Sequence, residues 1–192
     1  MSKLILASGS RFKQQQMARL DIEFESIPAD IDESALPGEA PDVLAMRLAR
    51  EKARELRAAH PDALILGGDQ VISLDGEQLH KPRTAANARA QLAKLQGKTH
   101  DLFCAVALDL PDGRVIERMV HYQMQMRPLT EAAIARYVAR DNPIDSAGSY
   151  VLEEGGVALF KSMRGDDYTA IIGLPLTSVY DMLEEAGFIT AD

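Results

Sequence analysis

LILGGDQVISLDGEQLHKP, residues 64–82, is the stretch on which the fold turns. An apolar run, Leu64–Leu66, meets Gly67-Gly68 and then an acid, Asp69, and a second apolar run, Val71–Leu74, follows at once. The pattern predicts a buried strand over 63–74, broken at the two glycines. Asp75-Gly76 predicts a hairpin turn that brings the chain back to Lys81-Pro82. An ionised Asp69 among apolar strand residues is costly without a partner. A metal, a lysine or a ligand would each serve. A plain turn is the alternative, and the immediate return of VISL speaks against it.

On the N-terminal side, KLILAS (3–8) reads as a buried strand, and SRFKQQQMARL (10–20) as a helix with Ser10 at its N-cap. IEFESIP (22–28) predicts another strand, and ADIDESALPGEAP (29–41) an acidic loop. PDVLAMRLAREKARELRAAH (41–60) has the clearest helical period in the chain. Downstream, residues 84–96 read as a helix ending at Gly97. Residues 100–110 and 114–126 read as two long strands around Pro111-Asp112-Gly113. Residues 129–140 read as a helix, SAGSY (146–150) as a loop and VALF (157–160) as a short strand. IIGLPLTSVYDMLEEAG (171–187) reads as a strand or turn leading into a terminal helix. Strands and helices interleave, so the class is α/β with a mixed sheet, because the long adjacent strands at 100–126 must be antiparallel.

The chain of 192 residues fits one domain, 1–192, or one domain with two lobes. Hydrophobic residues at 46 % suffice for a core, and a net charge of -8 argues against a general nucleic-acid binder. It does not exclude a local basic pocket for a small anion. The one cysteine, Cys104, lies in LFCAVAL and reads as a buried core thiol rather than a nucleophile. The first apolar run is too short for a secretory signal, and no segment reaches the roughly 18 apolar residues of a membrane helix. The expectation is a soluble, cytoplasmic protein.

Three further segments hold candidate chemistry, and a pair of C-terminal loops is weighed beside them. LILASGSRFK (4–13) is a strand, a small-residue turn and a helix start, a geometry that cradles phosphate, with Arg11 and Lys13 adding charge. Taken alone, it reads first as a plain link with solvated basic residues. Asp30, Asp32 and Glu33 crowd three carboxylates into four residues, which suits a hard divalent cation or a solvated loop. Lys52 falls on the arc of Ala45, Leu48, Ala49 and Leu56, while Arg47, Arg50 and Arg54 cluster elsewhere. A lysine so placed either snorkels outward or meets a buried anion. SAGSYVLEEGG (146–156) and MRGDDYTAIIGLPL (163–176) are glycine-containing loops with Glu153, Arg164 and Asp166 and no readable chemistry of their own.

Taken in order and at these spacings, the segments resemble the Maf family of nucleotide pyrophosphatases. The matching pieces are LILASGS (4–10), DIDES (30–34), LAREKA (48–53), GGDQVI (67–72), HKP (80–82), SAGSY (146–150) and IIGLPL (171–176). The Asp69-Gln70 pair resembles the branch acting on 7-methyl-GTP, where the branch acting on dTTP and UTP has threonine after the aspartate. The resemblance implies an elongated mixed sheet flanked by helices, with two lobes and a central cleft, as in inosine triphosphatase-like proteins. It also implies hydrolysis of a nucleoside triphosphate to the monophosphate and pyrophosphate with a divalent metal (Mg, Mn or Co), and a homodimer as a common assembly.

By the same resemblance, Ser8, Ser10, Arg11, Lys13, Lys52 and Lys81 hold the triphosphate. Glu33 and Asp69 anchor the metal, and Asp69 accepts a proton from the attacking water. Phe12, Gln70 and Glu153, with Glu154 beside it, select the base. A 7-methylated guanine is cationic, so a carboxylate and an aromatic face are apt partners. The family's usual Ser-Pro-x-Arg is here Ser10-Arg11-Phe12-Lys13. Lysine keeps the charge and loses the bidentate fork, and Phe12 stands where this branch commonly has tryptophan. The same chemistry on dTTP, UTP or other modified nucleotides, and a nucleotide-binding regulator of cell division without turnover, are the competing readings.

Overall fold

The computed structural model describes residues 3–190. Its strands are β1 (Leu4–Leu6), β2 (Glu25–Ser26), β3 (Leu64–Leu74), β4 (Glu77–Gln78), β5 (Thr99–Asp109), β6 (Val115–Met126) and β7 (Phe160–Arg164). Its helices are α1 (Arg11–Met17), α2 (Pro41–Glu55), α3 (Ala85–Leu95), α4 (Glu131–Asp141) and α5 (Leu176–Glu185). They form a mixed seven-stranded sheet in the order β2-β1-β3-β5-β6-β7, with β4 paired to β3. β1 lies parallel to both β2 and β3, while β3–β4 and β6–β7 are antiparallel. The α/β class with a mixed, helix-flanked sheet is therefore as the sequence implies.

The chain divides into two compact units. The first comprises Met1–Gln70, Cys104–Val120 and Asp167–Asp192. Here the period-2 alternation of β1 and β3 separates two cores. Leu4, Leu6, Leu64 and Leu66 face Val179, Met182 and Leu183 of α5 and Met17 of α1. Ile5, Ala7 and Ile65 face the other way, onto Ala53 and Leu56 at the end of α2. Both faces are covered, so the strands read as continuous apolar runs instead of alternating ones. The second unit comprises Val71–Phe103 and His121–Asp166. In it α3 packs on α4, and the rings of His100, Tyr150 and Phe160 meet within 6 Å of one another, at 4.9–5.9 Å between centroids.

Three expectations are corrected. β3 does not break at its glycines but runs through them from Leu64 to Leu74. They are bare because neighbours press on them: a Cβ on Gly68 would lie 3.1 Å from Leu174 Cδ2, and one on Gly67 would strike the backbone of α2. Residues 156–159 form a 3-10 turn, and the strand begins only at Phe160. Of the two readings of 171–187, strand or turn before a terminal helix, the turn is the one present: Tyr168–Ile171 is a 3-10 turn, Gly173 takes φ 138°, open to glycine alone in practice, and α5 follows. Finally, α2 stops at Glu55, not near 60. There the Arg57 guanidinium donates to the carbonyls of His60, Pro61 and Ala63 and supplies the hydrogen bonds that further helix would have made.

Candidate active site

The site grows from one helix–strand contact. α2 lays Ala45, Leu48, Ala49 and Ala53 on the sheet, all buried. Small residues let it approach closely, and Gly67 of β3 meets it with no side chain at all. A Cβ there would lie 2.8 Å from the Ala53 nitrogen and nearer still to the Ala49 carbonyl oxygen. Asp69, two residues further, points to the same face as Gly67. Lys52 immediately precedes Ala53 on the helix. The contact therefore brings Lys52 Nζ to 2.6 Å from Asp69 Oδ1. The same nitrogen is 2.6 Å from Glu33 Oε1.

This answers the electrostatic question posed by the strand. Asp69 is partnered by a lysine, and Lys52 meets buried anion instead of snorkelling away. The Lys52 and Asp69 side chains are only 11 % and 12 % exposed, against 60 % for Glu33, so one edge of the cluster opens to solvent. Burial alone would depress the Lys52 ammonium. Attraction to Asp69, then its bonds to Asp69 and Glu33, outweigh that and raise its pKa above the ordinary lysine value. The group is a cation at any physiological pH.

Glu33 is brought there by its loop. Arg47 of α2 forks onto Glu39, with Nε 2.7 Å from Oε1 and Nη2 2.8 Å from Oε2. The same guanidinium donates to the carbonyl of Ser34, next to Glu33, at 2.9 Å. Glu39 in turn accepts the Leu36 N–H, and its pKa falls to about 2 on the Arg47 bond first and the Leu36 bond second. Of the other two acids, Asp32 turns back on the Ser34 N–H, and Asp30 is exposed. Arg47 escaped the sequence reading because its helical arc is the polar one, shared with Arg50 and Arg54; its partner is set by the loop's path.

The residues fit a hard divalent cation. Two carboxylate oxygens that both lie 2.6 Å from one nitrogen cannot be further apart than twice that distance. Magnesium typically takes one or two protein carboxylates and completes its shell with water and substrate phosphate. Among the described residues no group of three or more His, Cys, Asp and Glu side chains is assembled for a metal. Glu33 and Asp69 would hold such an ion together with water and phosphate oxygens.

Beside this cluster stands the strand–turn–helix from β1 to α1. Ser8 Oγ accepts the Ser10 N–H at 3.1 Å, and Ser26 Oγ donates to the Ser8 carbonyl at 2.6 Å. Ser10 occupies the cap position of α1, yet its side chain makes no capping bond. The Arg11 guanidinium lies over the Phe12 ring, 4.7 Å from its centroid. The stem of Lys13 runs past Gly173, where a Cβ would sit 3.5 Å from Lys13 Cγ.

Gln70 has a definite structural task. Its amide donates both hydrogens to the turn after Tyr168, to the Ala170 carbonyl at 2.8 Å and the Ile171 carbonyl at 2.9 Å. Cys104 is a buried core thiol, as expected; burial pushes it up to about 12, and it donates to the Gly173 carbonyl at 3.3 Å. Asp167 holds the same turn. It accepts from the N–H and hydroxyl of both Thr169 and Thr177. Burial opposes its charge, but those four bonds keep its pKa below the ordinary aspartate value. The Asp-x-Thr spacing at 167–169 is the signal that could have found it.

Two expected residues lie in the second unit. Antiparallel pairing carries the hairpin to Gln78, and the Leu79 N–H still reaches the Ile72 carbonyl at 2.7 Å. Lys81 follows two residues later and is exposed. Glu153 and Glu154 are exposed in the turns after Val151.

The backbone is that of a Ham1-like α/β protein. It superposes on the structure of the Staphylococcus aureus Ham1 protein with a TM-score of 0.55 at 14 % identity, covering 95 % of this chain and 100 % of that one. The Maf-like protein family profile matches residues 3–186, and the chain belongs to the Maf family. A 7-methyl-GTP pyrophosphatase of Xanthomonas campestris pv. campestris (strain 8004) is 43 % identical over 188 residues, 98 % of each chain. One of Bordetella avium (strain 197N) is 43 % identical over 186 residues, 96 % of this chain and 93 % of that protein. No helix among the described residues is long and apolar enough to cross a membrane.

Proposed function

We propose that the chain hydrolyses 7-methyl-GTP to 7-methyl-GMP and pyrophosphate with the help of a divalent cation. The observation that carries the site assignment is the Lys52 ammonium held 2.6 Å from both Asp69 and Glu33, an acid–base–acid cluster open at one edge. The near-full-length likeness to proteins named 7-methyl-GTP pyrophosphatase supports the substrate.

Water attacks the α-phosphorus, the bond to the bridging oxygen of the α–β anhydride breaks, and pyrophosphate leaves with that electron pair. Asp69 accepts the proton of the attacking water. Glu33 and Asp69 hold the cation, which when bound supplies positive charge to the phosphate oxygens. Lys52 adds fixed positive charge that needs no reorganisation during the step. Ser8, Ser10, Arg11 and Lys13 seat the triphosphate, and Lys81 also holds phosphate. Phe12 and Glu153 select the base. Gln70 acts on that choice by fixing the turn that follows Tyr168.

Pyrophosphate release from 7-methyl-GTP, GTP, dTTP and UTP, each with Mg²⁺, Mn²⁺ or Co²⁺ and with chelator, tests this. The expected result is strongest turnover of 7-methyl-GTP, lost with chelator, and a fall of about 10²–10⁴-fold in Asp69→Asn, the usual weight of a positioned proton acceptor. No cleavage of any nucleotide with any metal, or near-normal turnover in Asp69→Asn, would sink the reading.

A further inference from the structure

Lys52 stands where a divalent cation would stand. Its nitrogen is 2.6 Å from an oxygen of Glu33 and 2.6 Å from an oxygen of Asp69, the two carboxylates proposed above to hold the metal. We propose that Lys52 is the resident counter-cation of the metal site in the nucleotide-free protein, so that the divalent ion is admitted only together with a polyphosphate that draws the lysine off the carboxylates. The inference rests on the metal-dependent reading above and deepens it: it states the order in which the site fills.

The physical reasons are three. First, the ammonium is held by two charge-assisted bonds from separate elements, the 29–40 loop and β3, and it lies in a mostly buried position where such bonds are strong. Second, a divalent ion between the same carboxylates would face a fixed positive charge at contact distance, with little water to screen it. Third, Lys52 sits on a long flexible stem with a single point charge. Its nitrogen can swing from carboxylate to phosphate while α2 stays fixed.

A triphosphate changes the balance at once. It offers the ammonium oxygens of higher charge density and brings oxygens that complete the shell of the incoming metal. Metal and nucleotide therefore bind with strong mutual enhancement, which by linkage is equal in both directions. Without nucleotide the site rejects free metal.

Titration calorimetry with Mn²⁺ alone on the full chain tests this directly, without turnover. Lys52→Met and Lys52→Gln remove the charge, and Lys52→Arg keeps it. The expected result is at least tenfold tighter Mn²⁺ binding in the two neutral variants than in wild type, with no tightening in Lys52→Arg. Thermal unfolding of each variant with and without Mn²⁺ reads the same affinity and confirms that each folds. In wild type, a triphosphate analogue with a non-cleavable α–β bridge should tighten Mn²⁺ binding by at least tenfold. Equal, weaker or absent Mn²⁺ binding in both folded neutral variants overturns the inference. If wild type cleaves no nucleotide while Met and Gln still tighten Mn²⁺, the activity reading fails and the counter-cation role stands. If nucleotide is cleaved but the neutral variants do not tighten, the counter-cation role fails alone.

Discussion

Gly67→Ala tests whether the helix–strand contact sets the site. A Cβ at that position would lie 2.8 Å from the Ala53 nitrogen and 3.1 Å from the Ala49 carbonyl carbon, and nearer than either to the Ala49 oxygen. Ordinary contact between such atoms is about 3.5–4.0 Å, so α2 must retreat by roughly an ångström. None of the three atoms belongs to a flexible side chain, and Ala49 and Ala53 are the partners of one helical hydrogen bond. Overpacking of this kind typically costs about 1–3 kcal/mol and sometimes more. Replacing a strand glycine recovers about 0.5–1 kcal/mol through the unfolded chain. The net loss expected is about 2 kcal/mol. For a chain of this size that is a fall in Tm of roughly 4–8 °C.

Gly68→Ala is the internal control. Its nearest obstacle is the tip of Leu174, at 3.1 Å, which can turn aside. Its cost should stay below about 1 kcal/mol. Urea unfolding of both variants against wild type gives the stabilities, and pyrophosphate release gives the consequence for the site. Lys52 rides on the displaced helix, so Gly67→Ala should also lose about 10²-fold in turnover, the scale of a 1 Å misplacement. Equal stabilities for Gly67→Ala and wild type, or a larger loss in Gly68→Ala, would refute the packing account. A destabilised Gly67→Ala with full activity would refute its link to the site.

Three other substitutions separate roles within the molecule. Arg47→Lys loses the fork on Glu39 and the bond to the Ser34 carbonyl; stability should change little, while turnover at saturating nucleotide falls about tenfold because the loop bearing Glu33 loosens, which kinetics and urea unfolding read side by side. Gln70→Glu sets a carboxylate against the Ala170 and Ile171 carbonyls and should cost about 2 kcal/mol, with a change in the 7-methyl-GTP to GTP turnover ratio; an unchanged ratio removes Gln70 from base selection. His100 is buried, and burial holds it down to about 4 from the usual 6.5. The unfolded chain therefore takes up that proton first as pH falls, so the stability it protects is present above about 6.5 and is lost towards pH 4, by up to about 3 kcal/mol. His100→Phe should flatten the decline in unfolding free energy between pH 6.5 and 4.5; an unchanged slope would show that His100 does not set it.

Most of the α/β frame can be read from the residues because its strands are apolar runs and its helices are periodic. Asp69 in an apolar strand and Lys52 on an apolar stripe each called for a partner of opposite charge, yet nothing local says that each is the other's. Gly67 and Gly68 show a deeper limit. A break in a strand and a helix pressed against it both require a missing side chain, and only the tertiary contact tells them apart. Gln70 presents the same difficulty: its partners, the Ala170 and Ile171 carbonyls, lie a hundred residues away, and backbone carbonyls carry no sequence signal.

The mixture of charges in the cluster bears on the kind of ligand it takes. A site for a bare polyanion would gather cations and exclude acids. A site for a bare divalent ion would gather three or more acids and exclude cations. Here two carboxylates and one ammonium share a point, in a chain whose net charge is -8. A metal–triphosphate complex is the ligand that satisfies both halves at once, since its cation answers the carboxylates and its phosphate oxygens answer the lysine. An overall acidic protein can then take a polyanion without a basic surface, because the attraction is local and the polyanion arrives partly neutralised. Increasing salt should accordingly weaken nucleotide binding far less than it weakens proteins that grip phosphates with exposed lysines and arginines.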